Sequence, residues 1–139
     1  MAMIAGVIGG VFSAIGAIQQ AQATAAAANY NAKVAERNRR AVLAQTDNEV
    51  VDQQIKNRRM IGTIRASYGA NGFEMTGTPL DVIADTTLEQ SLDVAKIKYK
   101  GRMKAEGYTE EATLFRMEAK AASTAGFIGA GAALLGGFG

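Results

Sequence analysis

Apolar residues recur along this chain at steps of three, four and seven, the spacing of one face of an α-helix. The stretch from Gln19 to Tyr68 contains no proline, and the first glycine within it is Gly62. The pattern predicts two long helices. The apolar positions of the first are Tyr30, Val34, Ala41, Ala44, Val51, Ile55, Ile61, Ile64 and Tyr68, and those of the second are Leu80, Ala84, Leu88, Leu92, Ala95, Tyr99, Met103, Leu114 and Met117.

Turn signals separate the two predicted helices. Gly and Asn tolerate left-handed backbone, and Thr followed by Pro is a typical helix start. We expect Thr78 to be the N-cap, Asp81 to close a capping box, and a bend or break near Gly107. The predicted turn and capping residues are Gly69, Gly72, Gly77, Thr78, Pro79 and Asp81. The predicted segments are an apolar segment 1–18, a long helix 19–68, a Gly-rich turn 69–78, a second helix 79–120 and an apolar tail 121–139.

Both ends of the chain are apolar and uncharged, since no charged residue precedes Lys33 or follows Lys120. As a helix, residues 1–18 would be about 27 Å long, close to the thickness of a membrane hydrocarbon core. Small residues recur at every fourth position at both ends, which favours close helix packing. They are Ala2, Gly6, Gly10 and Ala14 at one end and Ala125, Gly129, Ala133 and Gly137 at the other. Membrane insertion is one interpretation; a buried contact in an assembly, a signal peptide cleaved near Ala21-Gln22-Ala23, and disorder are the others. The expected membrane-insertion residues are Ile4, Val7, Ile8, Val11, Phe12, Ile15, Phe127, Ile128, Leu134, Leu135 and Phe138.

Blocks of charge alternate in sign along the middle of the chain. If the turn centres near Phe73, residues facing each other across an antiparallel hairpin have numbers that sum to about 147. Three blocks then oppose residues of the opposite sign, which sets register more than stability. The alternative is a set of solvated faces supported within each helix. The residues expected to form this charge register are Arg37, Arg40, Asp47, Asp52, Arg58, Arg65, Asp81, Glu89, Lys96, Lys100, Glu106 and Glu110.

The composition narrows the chemistry that the chain can perform. It contains no cysteine and no histidine, which removes thiolate nucleophiles, imidazole bases and the usual zinc ligands. We expect no catalytic residue, no metal and no cofactor. The net charge of +2 is too small to indicate a nucleic-acid-binding protein. The sequence therefore predicts an all-α fold, a long coiled-coil-like antiparallel hairpin that assembles with other copies into a ring or bundle because its apolar stripes are narrow.

Residues 60–83 (MIGTIRASYGANGFEMTGTPLDVI) resemble the small internal virion proteins of short-tailed bacteriophages. In that family a long Ala/Gln-rich helix ends in a segment like 65–69, and a Gly-rich connector leads to a second helix that starts like 77–81. The apolar first twenty residues are also similar. The resemblance implies a non-enzymatic protein of the capsid core near the portal, which enters the host envelope with the DNA and helps to form a channel for it.

The resemblance also implies the partners of the chain. These are further copies of itself, other internal virion proteins, portal or tail proteins, the host membrane after ejection, and nearby genomic DNA without sequence specificity. Two alternatives remain open. One is a purely structural virion protein that contacts DNA through residues 33–65, where eight basic residues stand against four acidic ones. The other is a holin-like membrane-lesion protein, which would explain the apolar ends but not the charged middle.

Overall fold

The fold is an antiparallel pair of long helices. The computed structural model describes the backbone of residues 2–136 and the side chains of residues 13–136. Helix α1 spans Ala2–Ala70 and helix α2 spans Thr78–Gly136, and the described residues contain no strand. The two helices pack against each other, so the predicted all-α helical hairpin is confirmed.

Both helices continue into the apolar ends of the chain. The predicted segments confined helix to residues 19–68 and 79–120, whereas α1 begins at Ala2 and α2 runs to Gly136. Neither end contains a proline, so no residue there removes a helical hydrogen-bond donor or blocks the helix sterically. Helix α2 is not broken at Gly107, because one glycine costs a helix only about 1 kcal/mol and packing on α1 outweighs that cost.

The hairpin divides into two compact units. The terminal unit contains Met1–Asn38 and Gly107–Gly139, and the turn unit contains Arg39–Glu106. Each unit therefore includes one stretch of α1 and one stretch of α2. Buried and half-buried positions form a narrow seam along the helices of each unit, and the spacing of those positions differs between the two.

In the terminal unit the seam follows a seven-residue repeat and is made mainly of alanine. On α1 the repeat is seen at Ala14, Ala21, Ala28 and Ala35, all of which are buried or half-buried. This is the spacing at which two helices pack as a left-handed coiled coil. The seam alanines and glycine of this unit are Ala14, Ala21, Ala25, Ala28, Ala32 and Ala35 on α1, with Ala112, Ala119, Ala122, Gly126 and Ala130 on α2.

In the turn unit the seam follows an eleven-residue repeat and contains larger and more polar side chains. On α2 the repeat runs through Pro79, Gln90 and Gly101, which are all buried, and on α1 it joins Thr46 to Asn57 and Tyr68. Eleven residues in three turns give about 3.67 residues per turn, slightly more than a straight helix has. The side chains of this seam therefore stay on one face of each helix without the left-handed supercoil that a heptad imposes.

The core formed by these seams is thin. Among side chains 13–136 the buried apolar residues are nine alanines with Val50 and Ile83, and no large side chain in this range is fully buried. Most large apolar side chains lie on the outside instead. Apolar burial contributes about 25 cal/mol per Å², and an alanine offers little area, so the seam aligns two helices without burying most of their apolar surface.

A Schellman motif ends helix α1. The amide of Gly72 donates to the carbonyl of Gly69 at 3.2 Å, and the amide of Phe73 donates to the carbonyl of Tyr68 at 3.1 Å. Gly72 has φ of 73°, the left-handed conformation that this motif requires after the last helical turn. The Phe73 ring packs edge-on against the Tyr68 ring at 6.1 Å between centroids, which is the apolar contact that accompanies the motif.

Candidate functional site

The two uncharged ends of the chain belong to the same unit. Within it, α1 and α2 approach closely where Gly126 faces Ala21: a Cβ built on Gly126 would overlap the Ala21 side chain and lie 3.7 Å from the Ala17 carbonyl oxygen. A small cavity of about 190 Å³ adjoins this contact. Its lining comes from both helices: Ile18, Ala21, Gln22, Ser123, Gly126 and Phe127.

Five large apolar side chains among the described residues of these ends point outward. Phe127 is 73% exposed, Ile128 68% and Leu135 78%, while Ile15 and Leu134 are about half exposed. These five are the predicted membrane-insertion residues whose side chains the structure describes. The others, Ile4, Val7, Ile8, Val11, Phe12 and Phe138, lie outside the described side chains. Alanine and glycine fill most of the seam, and Ile18 is half-buried beside the cavity.

Near the end of α2 the small residues that make the close contact are not those that the sequence pattern selected, whereas Ala14, from the set at the start of the chain, is buried. Spacing by fours suggested Ala125 and Gly129 as packing positions, but both are exposed. Gly126 and Ala130 occupy the seam instead, one residue further along. With small residues at most positions of this segment, sequence alone could not choose between neighbouring frames. The frame becomes visible only when the heptad is followed forward from Ala112 and Ala119 to Gly126.

Comparison with protein-family models, with curated proteins and with solved structures finds no match for this chain. Among the described residues, no helical stretch is long and apolar enough to qualify as a membrane span. The same part of the chain contains no group of three or more acidic residues that could hold a metal ion.

In each unit the facing residues of α1 and α2 follow the same pairing register. In the turn unit, Gln90 Nε2 donates to the Asn57 carbonyl at 3.4 Å, and Gly101 faces Thr46. Residue numbers in these pairs, and in the Ala21–Gly126 pair of the terminal unit, sum to about 147. This is the value expected for a turn centred near Phe73. The hydrogen bond from Gln90 is long, so it contributes less than the packing does.

Direct ion pairs are scarce along this register. Among the described side chains, Arg116 pairs with Glu36 between the helices of the terminal unit, and Lys96 pairs with Asp93 along α2 at 3.5 Å. The predicted pairing of charge blocks includes neither pair, and its residues have no direct ion pair across the described helices. It stays a prediction about the complementarity of blocks. In the turn unit, Arg58 and Arg65 line an open groove with Thr87, Gln90 and Ser91.

The start of helix α2 lies within one residue of the predicted cap. The Asp81 amide donates to the Gly77 carbonyl at 3.1 Å, so the first helical hydrogen bond is accepted one residue before Thr78. Gly77 has φ of 64°, a left-handed conformation that glycine adopts without strain. Pro79 follows in the first turn, where its missing N–H leaves no bond unmade. The roles of the Thr78 hydroxyl and the Asp81 carboxylate as caps stay predictions.

A second apolar surface, the outer stripe, lies on α2 of the turn unit. We define it as Ala84, Leu88, Leu92, Ala95, Tyr99 and Met103, and all six residues are exposed. At ~3.67 residues per turn these positions fall about 130–200° around the helix from the seam residue Gln90. The sequence identified this stripe as the apolar face of α2. The structure shows that it faces away from α1, which packs instead on the face with Ile83, Gln90 and Gly101.

Proposed function

We propose that this chain is a non-enzymatic ejection protein of the kind found inside short-tailed phage particles. In this proposal several copies pack together in the virion core, and after release their apolar ends enter the host envelope and help to form a passage for DNA. The observation that carries it is the pairing of both uncharged ends in one unit, with large apolar side chains exposed on them. The resemblance of residues 60–83 to internal virion proteins supplies the viral setting.

The magnitude of the exposed apolar surface supports a collective action. The five described side chains at the ends expose the equivalent of about three whole side chains. Burying a large apolar side chain in full contributes about 1.5–3 kcal/mol, so their transfer to lipid contributes about 5–9 kcal/mol per copy. That is similar to a single acyl chain, which binds membranes only weakly and reversibly. Stable attachment then requires several linked copies, whose binding events reinforce each other.

The charged middle of the chain supports the ejection proposal over a holin-like role. A membrane-lesion protein needs apolar segments, but it has no evident use for a long charged hairpin whose helices keep one register. The hairpin gives each copy a charged middle that stays outside the lipid while the ends change environment. Its small-residue seam also lets the two apolar ends lie side by side without burying the large residues that lipid or neighbouring copies would cover.

Flotation with zwitterionic lipid vesicles tests the role of the ends. In one variant Ile128→Asp and Leu135→Asp place two charges on exposed positions of the apolar tail. The matched control, Leu114→Asp with Met117→Asp, changes two similarly exposed positions on the same helix before Lys120. We expect the unchanged protein and the control to float with the vesicles, and the tail variant to stay at the bottom of the gradient. Flotation of the tail variant would contradict the proposal.

The viral setting is tested separately in infected cells. We expect the chain in purified DNA-filled particles, its absence from particles that have ejected their DNA, and its appearance in the host envelope fraction after infection. A chain that enters membranes late in infection without ever being packaged would instead support the holin-like alternative. A chain that remains in emptied particles would support a purely structural role.

A further inference from the structure

We propose that the outer stripe of α2 is the site where a second copy of this chain docks, with the two α2 helices antiparallel. The proposal deepens the function proposed above, which requires several copies but does not say how they meet. It rests on the turn unit alone. Four large side chains carry the stripe, and two of them, Leu88 and Tyr99, are more than 60% exposed.

The spacing of the stripe is symmetric. Its six residues are separated by four, four, three, four and four positions, so the sequence of steps reads the same in both directions. In an antiparallel dimer each residue of the stripe therefore faces a stripe residue of the second copy, and the numbers of facing residues sum to about 187. Met103 then lies opposite Ala84 of the second copy, Tyr99 opposite Leu88, and Leu92 opposite Ala95. Two of these three contacts set a large side chain against a small one, which lets the helices interdigitate.

The charges beside the stripe favour the same arrangement. One edge carries Asp85 and Glu89 towards the start of α2 and Lys96 and Lys100 towards its middle, and all four side chains are exposed. In an antiparallel pair of helices each edge faces the same edge of its partner. Asp85 then meets Lys100 of the second copy and Glu89 meets Lys96, and the two-fold symmetry repeats both contacts. The edge is thus complementary to itself.

A parallel arrangement lacks this complementarity. In a parallel pair each edge faces the opposite edge of its partner, and the opposite edge of α2 carries Lys98 and Arg102. Lys96 and Lys100 would then lie beside basic residues of the second copy. Like charges in that position oppose association and select against the parallel register.

The surface is of a size suited to docking. Four side chains that are half to two-thirds exposed present on the order of 400 Å² of apolar surface per copy, within the range of patches that mark interaction sites. Together with the flanking side-chain stems on both copies, the interface approaches the lower limit of about 1,200 Å² for specific association. We therefore expect a dimer of moderate affinity through this stripe, which other contacts extend into a larger assembly.

Charge exchange in the full chain tests the proposal. One variant carries Asp85→Lys and Glu89→Lys, and a second carries Lys96→Glu and Lys100→Glu. Each variant alone sets like charges together at all four edge contacts, so we expect its dimerisation to weaken by roughly tenfold or more in analytical ultracentrifugation at low salt. A mixture of the two restores opposite charges and should form a heterodimer. Failure of the mixture to associate, with both variants helical by circular dichroism, would overturn the proposal.

Disulfide trapping provides a second readout that leaves every charge in place. The chain has no cysteine of its own. A mixture of Ala84→Cys and Met103→Cys copies, one carrying a size tag, should cross-link between the two variants on mild oxidation. Ala84→Cys alone should not, because its two copies of position 84 lie about 28 Å apart in the antiparallel register. Cross-linking of Ala84→Cys with itself indicates a parallel pair, and no cross-linking indicates another occupant; either overturns the proposal. Lipid flotation tests the ends independently of both results.

Discussion

Replacing Gly101 with alanine tests whether the seam of the turn unit is as tight as the structure shows. A Cβ built at this position would lie 2.7 Å from Thr46 Cβ and closer still to the outer atoms of that side chain. The Thr46 hydroxyl donates to the Val42 carbonyl at 2.8 Å, which holds the side chain in place. The added methyl group therefore separates the helices or displaces Thr46.

Two effects of opposite sign determine the result. Alanine in place of glycine stabilises a helix interior by about 0.5–1 kcal/mol. Overpacking a tight contact costs about 1–3 kcal/mol. We expect Gly101→Ala to lower the free energy of unfolding by up to about 2 kcal/mol. The matched control is Gly107→Ala on the same helix, where a Cβ meets nothing within 4 Å, so only the stabilising effect applies. The free energies of unfolding of the two variants should differ by about 1–3 kcal/mol. Gly107→Ala should be more stable than the unchanged protein, and Gly101→Ala less stable.

Urea unfolding followed by circular dichroism measures this difference. All variants must be compared at one protein concentration, because self-association adds to apparent stability. A third variant combines Gly101→Ala with Thr46→Gly, which moves the Cβ from one helix to the other. It should be more stable than the sum of the two single changes by about 1–2 kcal/mol. If Gly101→Ala stabilises the protein as much as Gly107→Ala does, the close approach at this position is refuted.

Three further predictions concern the other contacts. Gly126→Ala should lower the free energy of unfolding by up to about 2 kcal/mol through the same kind of overlap, whereas Gly129→Ala, with open space around it, should raise it by about 0.5–1 kcal/mol; equal effects in thermal unfolding would contradict the terminal seam. Gly72→Ala should cost about 1–2 kcal/mol in urea unfolding because of its φ of 73°, while Gly69→Ala should not destabilise, and the reverse order would refute the Schellman motif. Arg116→Ala should cost less than about 1 kcal/mol, and 1 M NaCl should remove most of that difference, since the ion pair is exposed; a loss of several kcal/mol would show that it is buried.

The order and approximate bounds of the two helices could be predicted from the sequence because turns and helix starts have local sequence signals. The turn was predicted to within a residue or two. The signals were glycine and asparagine at 69–72 and Thr78-Pro79 at the start of α2. The absence of proline elsewhere favoured two long helices, although the sequence also suggested a bend or break near Gly107, where α2 is not broken. The pairing sum near 147 followed from the position of the turn, and contacts such as Thr46 with Gly101 agree with it.

The inner and outer faces of α2 could not be assigned from sequence in the same way. The usual reading places the most apolar stripe against the partner helix. Here Leu88, Leu92 and Tyr99 lie outside, and the seam takes Gln90 and Gly101. Close approach of two helices requires small residues at the contact, and such residues carry little hydropathy. A pattern that ranks positions by hydropathy therefore finds the outer stripe first, and Gly101 reads as a weakness of the helix rather than a packing position.

The central claim is that the two ends of the chain lie together in one unit. The distance between spin labels at Gln22→Cys and Ser123→Cys, measured by double electron–electron resonance in doubly labelled protein diluted with unlabelled protein, tests it most directly. Both positions line the cavity beside Gly126. Two packed helices have axes about 8–10 Å apart, so we expect one label distance of roughly 15–30 Å. If α1 and α2 did not pack against each other, the labels would be separated by both helices and the turn, a distance of up to about 150 Å. Loss of the short label distance would contradict the account.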